Sequence, residues 1–250
     1  MSKTHYNKLF LSDIHLGSLQ AQPQKVLDLL ERVTADEIYL VGDIIDIMAM
    51  KKFFRWESEY NKIIRKLLKL NKNGTRIYYV AGNHDAQLKD YDGDNFSGIE
   101  FCIEKKIETI SGKTYMVLHG DEFDGIFRSK MLYTLGDILF GITVMLNRIN
   151  NKIRQKMGYS SWSLSLYLKE KVKKRLKFLS NFEKLVATKA VDNNSDGVIC
   201  GHVHIPEDKV LNEHNREIHY VNTGCMTEFI SYAVETEFGD IKMIHEKESE

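Results

Sequence analysis

The sequence predicts an α/β fold, and two observations carry that prediction. Over the first 120 residues, short apolar segments of strand length alternate with longer segments whose apolar residues recur at helical spacing. Such alternation is typical of a sheet layered with helices. The 250 residues, 43% of them hydrophobic, are enough for a sizeable core and exclude a globally disordered or collagen-like chain.

The predicted elements follow in order along the chain. Strands are predicted at residues 9–11, 38–41, 77–80, 114–118 and 198–200. Helices are predicted at residues 26–33, beginning near Pro23, and at residues 57–70, where apolar side chains form one stripe. The tail, residues 209–244, is predicted to form strands and hairpins.

Residues 126–193 depart from this pattern. They carry no strand signal, and we expect two or three helices that form a helical cap insert within a single domain spanning residues 1–250. From Arg148 to Lys189 there are twelve Lys or Arg and two Glu, a net charge of +10, whereas the 35 basic and 35 acidic residues of the whole chain cancel. The neutral total therefore hides a basic insert on an acidic body, and it is not the composition of a general nucleic-acid binder.

The cysteines and the apolar segments bear on the compartment. Cys102, Cys200 and Cys225 are odd in number, far apart and without a CxxC pair, which favours a reducing compartment over disulfides or a cysteine zinc site. No signal peptide is visible, and the most apolar stretch, residues 131–146, is shorter than the roughly 18 residues of a membrane-spanning helix. We expect a cytoplasmic protein, either free or peripheral on the inner face of the cell membrane.

Polar clusters follow five of the predicted strands, at the points where the strands end. In chain order they are Asp13-Ile14-His15, Gly42-Asp43-Ile44-Ile45-Asp46, Gly82-Asn83-His84-Asp85, His119-Gly120-Asp121 and Gly201-His202-Val203-His204. Ligands bind beyond the carboxyl ends of strands in open α/β sheets, so these clusters are expected to converge. Carboxylate, imidazole and amide groups without thiolate suit Mn²⁺, Fe or Zn²⁺ better than copper or an iron–sulfur cluster.

Each cluster alone has an ordinary structural explanation. Asp and His are common in loops, Gly-Asp after a strand is often a turn, and Gly-Asn-His-Asp can be a turn with a helix cap. Gly-His-x-His is more specific, because alternate side chains of an extended segment can share one site. Five clusters in this order at strand ends favour a metal centre over coincidence.

These motifs, D-x-H, G-D-x-x-D, G-N-H-D, H-G-D and G-H-x-H, make the sequence from residue 9 to about 224 resemble the calcineurin-like metallophosphoesterases. The resemblance implies a four-layer sandwich of two mixed β-sheets flanked by helices, with two divalent metal ions, Mn²⁺ before Fe or Zn²⁺. It implies one ion held by Asp13, His15 and His204, a second held by Asn83, His119 and His202, and a bridge between them by Asp43. Such ion pairs clamp the attacking and leaving oxygens of an in-line displacement, and they make hydroxide available near neutral pH to attack phosphorus.

The resemblance also assigns a catalytic role to His84. It makes His84 a group that binds no metal and either stabilises the phosphoryl oxygens or protonates the leaving oxygen. Asp85 is expected to orient His84 or only to cap the next turn. The remaining acidic residues of the motif loops, Asp46, Asp121 and Asp124, are expected to support the site without binding metal.

A closer resemblance is to the UDP-2,3-diacylglucosamine pyrophosphohydrolase group. It rests on residues 41–46, on Lys51-Lys52 and Trp56, on residues 119–121 and 221–224, and on the helical insert. Members cleave a nucleotide–lipid pyrophosphate in lipid A synthesis, but they tend to carry arginine where this chain has His84. The alternatives are a phosphodiesterase or nuclease, a nucleotide phosphatase of the same superfamily, or a non-catalytic interaction module.

The basic insert has its own alternatives. Lys173, Lys174 and Arg175 are predicted to bind a phosphate or diphosphate of the substrate. Beside the apolar residues 131–146, the same charges would attach the protein to an anionic membrane surface. Nucleic acid attracts the same side chains. A solvated helix face explains these charges as well as any of the three.

Overall fold

The computed structural model describes residues 3–127, 164–227 and 230–246, and in its last helix it describes side chains from Phe178 onward. The chain divides into two compact units, Met1–Asp121 with Lys184–Glu250, and Glu122–Glu183. Both β-sheets belong to the first unit. The predicted cap, residues 126–193, overlaps the second unit without sharing its bounds, and a cap inserted into a single domain stays a prediction.

The larger sheet has seven strands, numbered in chain order through both sheets. They are β1 (Thr4–Leu11), β2 (Val33–Val41), β3 (Arg76–Val80), β4 (Asn95–Phe96), β5 (Ile99–Cys102), β11 (Ile230–Glu235) and β12 (Ile241–Glu246). Their order across the sheet is β12-β11-β1-β2-β3-β5-β4. Strands β1, β2, β3 and β5 are parallel, whereas β4, β11 and β12 pair antiparallel with their neighbours.

The smaller sheet has five strands. They are β6 (Glu104–Glu108), β7 (Thr114–Leu118), β8 (Gly197–Cys200), β9 (Glu207–Glu213) and β10 (Arg216–Asn222). Their order is β6-β7-β8-β10-β9, with β7, β8 and β10 parallel and the two outer strands antiparallel. Both sheets are therefore mixed, and each has parallel strands at its centre.

Four α-helices are described. They are α1 (Pro23–Arg32), α2 (Ile47–Lys52), α3 (Ser58–Lys72) and α4 (Leu164–Asp192), and short 3₁₀ helices cover Ala86–Tyr91 and Asp121–Phe127. Pro23 opens α1, where a missing N–H costs nothing. Within the described part of the chain, every helix is too short or too polar to cross a bilayer.

The core lies in two layers, one on each face of the larger sheet. Leu9 and Leu11 of β1 pack with the buried sides of α1 and α3, whereas Phe10 between them packs with residues of the smaller sheet. Neighbouring β2 alternates in the same way, because successive side chains of a strand point to opposite faces. The larger sheet is thus buried on both faces, as parallel strands usually are.

The last turns of α4 cover the other face of the smaller sheet. Lys189 Nζ lies 2.7 Å from Glu104 Oε2 of β6, and Arg216 of β10 donates to the carbonyl of Val191. Val186 and Ala190 are fully buried. Helix, sheet, sheet and helix follow one another, so the predicted sandwich of two mixed sheets flanked by helices is confirmed.

All five predicted strands are present, but several boundaries differ. The helix predicted at residues 26–33 ends at Arg32, because Val33 is extended (φ −115°, ψ 139°) and already pairs with Thr4. The helix predicted at residues 57–70 runs from Ser58 to Lys72, and the strand predicted at residues 38–41 begins at Val33. The apolar residues 131–146 lie outside the described residues, as do the side chains of Lys173, Lys174 and Arg175 in α4.

A buried ion pair links the two sheets. Lys8 Nζ lies 2.5 Å from Glu235 Oε2 across the β1–β11 pair, and Glu235 Oε1 accepts from the backbone N–H of Ile110, in the β6–β7 turn of the smaller sheet. Glu235 is fully buried. Because a buried carboxylate that loses its cation keeps its desolvation cost, this pair is a point where one substitution has a large effect.

We expect Lys8→Met to lower the free energy of unfolding by about 3–5 kcal/mol, because it leaves Glu235 charged, buried and unpaired. Urea denaturation of both proteins measures the difference. The double variant Lys8→Met/Glu235→Gln should recover part of the loss, since it removes the buried charge as well. A single variant within about 1 kcal/mol of wild type would contradict this account.

Candidate metal centre

The five motif loops meet at the carboxyl ends of parallel strands from both sheets. The loops after β1, β2 and β3 come from the larger sheet, and the loops after β7 and β8 come from the smaller one. Backbone hydrogen bonds join them: Asp13 N–H donates to Gly42 (3.0 Å), and Gly201 N–H donates to His119 (3.2 Å). Met226 N–H donates to Asp13 (3.1 Å), which brings in the loop after β10. The convergence predicted from the motifs is therefore present.

Asp13 lies at the centre of one group of ligand-type atoms. Its Oδ1 lies 2.9 Å from His204 Nε2 and 3.8 Å from His15 Nε2, and these two imidazole nitrogens are 3.4 Å apart. Its Oδ2 accepts from the backbone N–H of His202 at 3.1 Å. One carboxylate oxygen is thus held by the backbone, while the other faces two imidazoles at a spacing that suits a shared cation.

Asp43 faces three imidazoles with one oxygen. Its Oδ2 lies 3.4 Å from His119 Nε2, 3.8 Å from His15 Nε2 and 4.0 Å from His84 Nε2. Its Oδ1 accepts from the backbone N–H of His84 at 2.8 Å. Asp13, Asp43 and His119 form a second group of ligand-type atoms. Because Asp43 also lies 3.8 Å from His15 of the first group, its carboxylate faces both groups.

Asn83 and His202 complete the predicted ligand set. The ring of His202 packs edge-on against that of His119, with centroids 5.1 Å apart. Asn83 lies on the loop after β3, between Gly82 and His84. A Cβ at Gly82 would collide with Asp43 Oδ1, so this loop approaches the central carboxylate closely enough to require glycine.

Three buried polar atoms in these loops have no hydrogen bond within the described structure: Asp13 Oδ1, Asn83 Oδ1 and His119 Nε2. The case of His119 fixes the tautomer. Its Nδ1 lies 2.9 Å from the carbonyl oxygen of Val41, which can only accept, so Nδ1 carries the hydrogen and Nε2 of the neutral ring presents a lone pair. Buried polar atoms of this kind are costly unless the rings beside them are protonated or a cation takes their lone pairs. The residues therefore fit a metal centre.

Five of these residues have left-handed backbone conformations. Their φ angles are 51° for Asp13, 53° for His15, 54° for Asp43, 71° for His202 and 57° for His204. Asp and His tolerate this region better than most residues, but it still costs about 1–2 kcal/mol for a residue with a Cβ. Clustered strain of this kind is typical of functional sites, where the surrounding structure holds the backbone in place.

Burial and charge oppose one another in this site. Burial alone would raise the pKa of Asp13 and Asp43, but the neighbouring imidazoles hold both pKa values below the usual range. Burial alone would lower the pKa of the imidazoles, but their contacts with the aspartates raise it to about 9 for His15 and about 10 for His119 and His204. In the absence of metal, protons on these rings therefore compensate the buried carboxylates.

His84 is positioned by Asp46 and not by Asp85, and the Asp85 side chain makes no capping bond to the 3₁₀ helix that follows it, so both expectations for Asp85 were wrong. His84 Nδ1 lies 2.8 Å from Asp46 Oδ1, and His15 Nδ1 lies 3.1 Å from Asp46 Oδ2. Asp46 also accepts from Ala49 N–H and so caps α2. Each of its oxygens holds one imidazole, which leaves both Nε2 atoms facing Asp43.

Asp85 stabilises the loops instead. Its Oδ1 accepts from Gly82 N–H at 2.6 Å, and its Oδ2 accepts from Ile44 N–H and the Tyr79 hydroxyl. Burial, with the charge of Asp43, raises the pKa of Asp85. Asp85 thus joins the loops after β2 and β3, and Asp121 forms an ion pair with Lys89 at 2.6 Å. Asp124 belongs to the second unit.

The sequence contains a signal for the role of Asp46 in holding His84, although the motifs themselves assign it no such role. Asp46 stands three residues after Asp43 and directly before a short apolar segment, which is the position of a helix N-cap. A capping carboxylate has a fixed direction, so it suits the task of holding a ring. Cys225, a further contact of His204, had no such signal, because a lone cysteine carries no motif that links it to a histidine in another loop.

This fold and these clustered side chains define a class of metal-dependent phosphoesterases, and the family comparison agrees. The model for calcineurin-like phosphoesterases matches residues 7–206. The chain belongs to this family and is a metallophosphoesterase, as its motifs predicted, and membership implies divalent metal ions.

The chain is also similar to individual proteins of known name. The UDP-2,3-diacylglucosamine hydrolase of Porphyromonas gingivalis is 26% identical over 253 residues, covering 90% of this chain and 92% of that protein. The enzyme of the same name from Blochmanniella pennsylvanica is 26% identical over 242 residues and covers 88% of each chain. Among solved structures, vacuolar protein sorting 29 from Cryptosporidium parvum aligns with a TM-score of 0.42 at 12% identity, covering 96% of this chain and 97% of that one.

Proposed function

We propose that this phosphoesterase uses two divalent metal ions to hydrolyse a phosphoester or pyrophosphate bond in a nucleotide–lipid similar to UDP-2,3-diacylglucosamine. One observation carries the metal centre: Asp13 Oδ1, Asn83 Oδ1 and His119 Nε2 are buried without a hydrogen bond, and Asp13 Oδ1 faces Nε2 of His204, itself a ligand-type atom, at 2.9 Å. The choice of substrate is supported by relatives of that name along most of the chain.

The proposed ligands start from the groups of side chains around Asp13 and Asp43 and add Asn83 and His202 from the motifs. Asp13, His15 and His204 hold one ion, Asn83, His119 and His202 hold the other, and Asp43 bridges them. Oxygen and nitrogen donors of this kind suit Mn²⁺, with Fe or Zn²⁺ as alternatives. Bound ions would supply a water nucleophile at neutral pH and would neutralise charge on the phosphoryl oxygens.

The protein's own groups position the substrate and move the proton. In the proposed mechanism, His84 donates a proton from Nε2 to the leaving oxygen, because its Nδ1 is held by Asp46. About 30% of the His84 side chain is exposed, whereas Asp46 and His15 are nearly buried. Of the two histidines that Asp46 holds, His84 is therefore the one that a substrate can reach. Asp46 fixes the ring so that Nε2 points towards the site of reaction.

The insert and the compartment enter the proposal as well. Lys173, Lys174 and Arg175 are proposed to bind the charged linkage of the substrate, and the protein is proposed to act on the cytoplasmic side of the membrane that contains its lipid. Each acyl CH₂ that leaves water adds about 0.8 kcal/mol to the favourable free energy of substrate binding. Buried acyl chains would therefore favour lipid substrates strongly over small phosphoesters.

A substrate panel with controlled metal content tests the function. Protein stripped of metal with a chelator should be inactive, and added Mn²⁺ should restore hydrolysis of UDP-2,3-diacylglucosamine to UMP and a lipid monophosphate. A nucleoside monophosphate, single-stranded DNA and single-stranded RNA form the other arms. Faster cleavage of either nucleic acid would favour the nuclease alternative. A histidine at position 84 is consistent with that alternative, because the broader superfamily has histidine there. No activity and no bound metal in any arm would favour a non-catalytic module.

Neutralising Lys173, Lys174 and Arg175 to Gln tests the role of the insert. We expect kcat/KM to fall for the UDP-linked lipid and to stay near the wild-type value for a small chromogenic phosphodiester, because none of the proposed metal ligands belongs to this segment. Equal losses on both substrates would mean that the segment supports the active site generally. No loss on either would leave the solvated helix face as the explanation.

A further inference from the structure

A basic surface with an aromatic tip lies on the first unit, apart from the insert. We call residues 51–72 the aromatic-basic surface; they comprise the end of α2, the loop after it and all of α3. The segment contains eight Lys or Arg and two Glu, a net charge of +6. This concentration is unexpected in a body whose charge outside the insert is negative overall.

The charges of α3 lie on one face. Lys62, Arg65, Lys69 and Lys72 recur at intervals of three or four residues, and all four are exposed. The buried residues of the helix, Tyr60, Ile63 and Leu67, lie on the opposite side. Lys66 adds a fifth charge at the edge of this face, and burial together with nearby Lys3 and Lys69 lowers its pKa. The cations therefore form one stripe along the helix.

Most of these cations are not compensated. Arg55 pairs with Glu57, and Lys62 lies 3.5 Å from Glu59. Within the described residues, no ion pair involves the remaining six: Lys51, Lys52, Arg65, Lys66, Lys69 and Lys72. Unpaired cations at this density produce a positive potential that attracts an anionic partner.

Two phenylalanines project from the loop between α2 and α3. Phe53 and Phe54 are 74% and 76% exposed, next to Lys51 and Lys52. The loop is anchored on both sides of them. Phe53 N–H donates to Ala49, and Trp56 packs partly against the core while its indole N–H donates to Asn61. The two rings are therefore held outwards by ordered backbone, although nothing apolar in the described structure covers them.

We propose that the aromatic-basic surface docks on an anionic phospholipid bilayer. Phe53 and Phe54 enter the boundary between headgroups and acyl chains, and the Lys and Arg stripe of α3 lies against anionic headgroups. Adjacent aromatic side chains beside basic ones are what an interfacial membrane site requires. The bilayer accepts the apolar rings below its headgroups, and its anionic headgroups attract the basic side chains. A nucleic acid would use the charges, but it would not bury two neighbouring rings that have no polar group.

Helix α2 connects the aromatic-basic surface to the metal centre. This helix begins at Asp46, which holds His15 and His84, and Met48 N–H donates to the carbonyl of His84. It ends at Lys52, directly before the two phenylalanines. Docking here would place the metal centre one short helix away from the bilayer. The inference does not depend on which phosphoester the enzyme cleaves.

Vesicle sedimentation with paired variants tests the proposal. Wild type should bind vesicles of phosphatidylglycerol and phosphatidylcholine at low salt and should bind pure phosphatidylcholine much more weakly. Phe53→Ser/Phe54→Ser should lower the partition coefficient about tenfold or more for each ring removed. The matched control is Phe96→Ser/Phe238→Ser, which changes two rings of similar exposure, 70% and 76%, outside the surface and should leave binding unchanged.

The charges have a matched pair of their own. Arg65→Gln/Lys69→Gln should lower binding about 25-fold at low salt, at about fivefold per charge. The exposed residues Lys113 and Lys242, changed to Gln, form the control and should have little effect. All variants are checked for an unchanged Tm and for hydrolysis of a small phosphodiester, since none of these residues belongs to the metal centre.

Three results would overturn the proposal. The first is equal binding of wild type to anionic and neutral vesicles. The second is the same loss in a test pair and in its control pair, or a loss caused only by neutralising Lys173, Lys174 and Arg175. The third is tighter binding of single-stranded RNA than of anionic vesicles, with the same variants weakening it, which would assign the surface to nucleic acid.

Discussion

Asp43→Asn is expected to lower kcat/KM by about 10³-fold or more and to reduce the bound metal by at least one equivalent. One oxygen of Asp43 faces His119, His15 and His84 at 3.4–4.0 Å, and the other is fixed by the backbone N–H of His84. An amide in its place offers a single neutral oxygen. If that amide keeps the backbone hydrogen bond, its NH₂ group faces the centre, where it cannot bind a cation. The expected loss corresponds to the several kcal/mol that a metal ion supplies to phosphoryl transfer.

Elemental analysis of purified protein, together with steady-state kinetics at saturating Mn²⁺, measures both effects. Asp36→Asn is the matched control, because Asp36 is an exposed aspartate of β2 whose ion pair, with His5, lies at the surface. It should keep both metal equivalents and wild-type turnover. If Asp43→Asn keeps two full equivalents of metal and near-normal turnover, the bridging role is wrong.

The fold could be predicted because local patterns and topology agree. Short apolar segments marked every strand that carries a motif, and both faces of those strands are in fact buried. The predicted starts of β1 and β2, at residues 9 and 38, were too late. The first residues of both strands, such as Thr4 and Val33, are held by pairing with each other and not by apolar neighbours. Such pairing is a long-range property that no window of sequence contains.

The clustering of the site could also be predicted, because strand ends converge whatever the side chains are. Asp13 and Asp43 lie where parallel β1 and β2 end side by side, in register from Leu9 and Ile38 onward. His119 reaches the same place only because the second sheet packs against the first, and that packing was available from the family resemblance alone. The left-handed conformations of five site residues left no trace in the sequence.

The partner of His84 was the principal error within the site. Asp85 is its neighbour in sequence, but the loop turns so that the Asp85 carboxylate faces Gly82, Ile44 and Tyr79. Asp46 reaches His84 from a different loop, 38 residues away. Proximity along the chain is a poor guide in a loop, because successive side chains point in different directions, whereas a capping position constrains direction.

His84→Ala is expected to keep both metal ions and to lose turnover by about 10²–10⁴-fold. Its Nδ1 is held by Asp46, and the ring lies beside the proposed ligands while its Nε2 stays 4.0 Å from Asp43 Oδ2. A proton donor matters most when the leaving oxygen is strongly basic. The loss should therefore be large for an alkyl phosphodiester and small for a nitrophenyl one, because nitrophenolate leaves without a proton.

That dependence on the leaving group separates the possible roles of His84. Equal losses on both diesters, with metal retained, would mean that His84 stabilises the phosphoryl oxygens and donates no proton. Loss of metal in step with turnover would make His84 a ligand, and an unchanged rate would make it structural. Asp46→Asn serves as the companion variant: if Asp46 acts by holding the His84 ring, this change should lower the rate for the alkyl diester more than for the nitrophenyl one. Its metal content must be measured alongside, because the same carboxylate holds His15, and only a rate loss with both ions in place reports on His84.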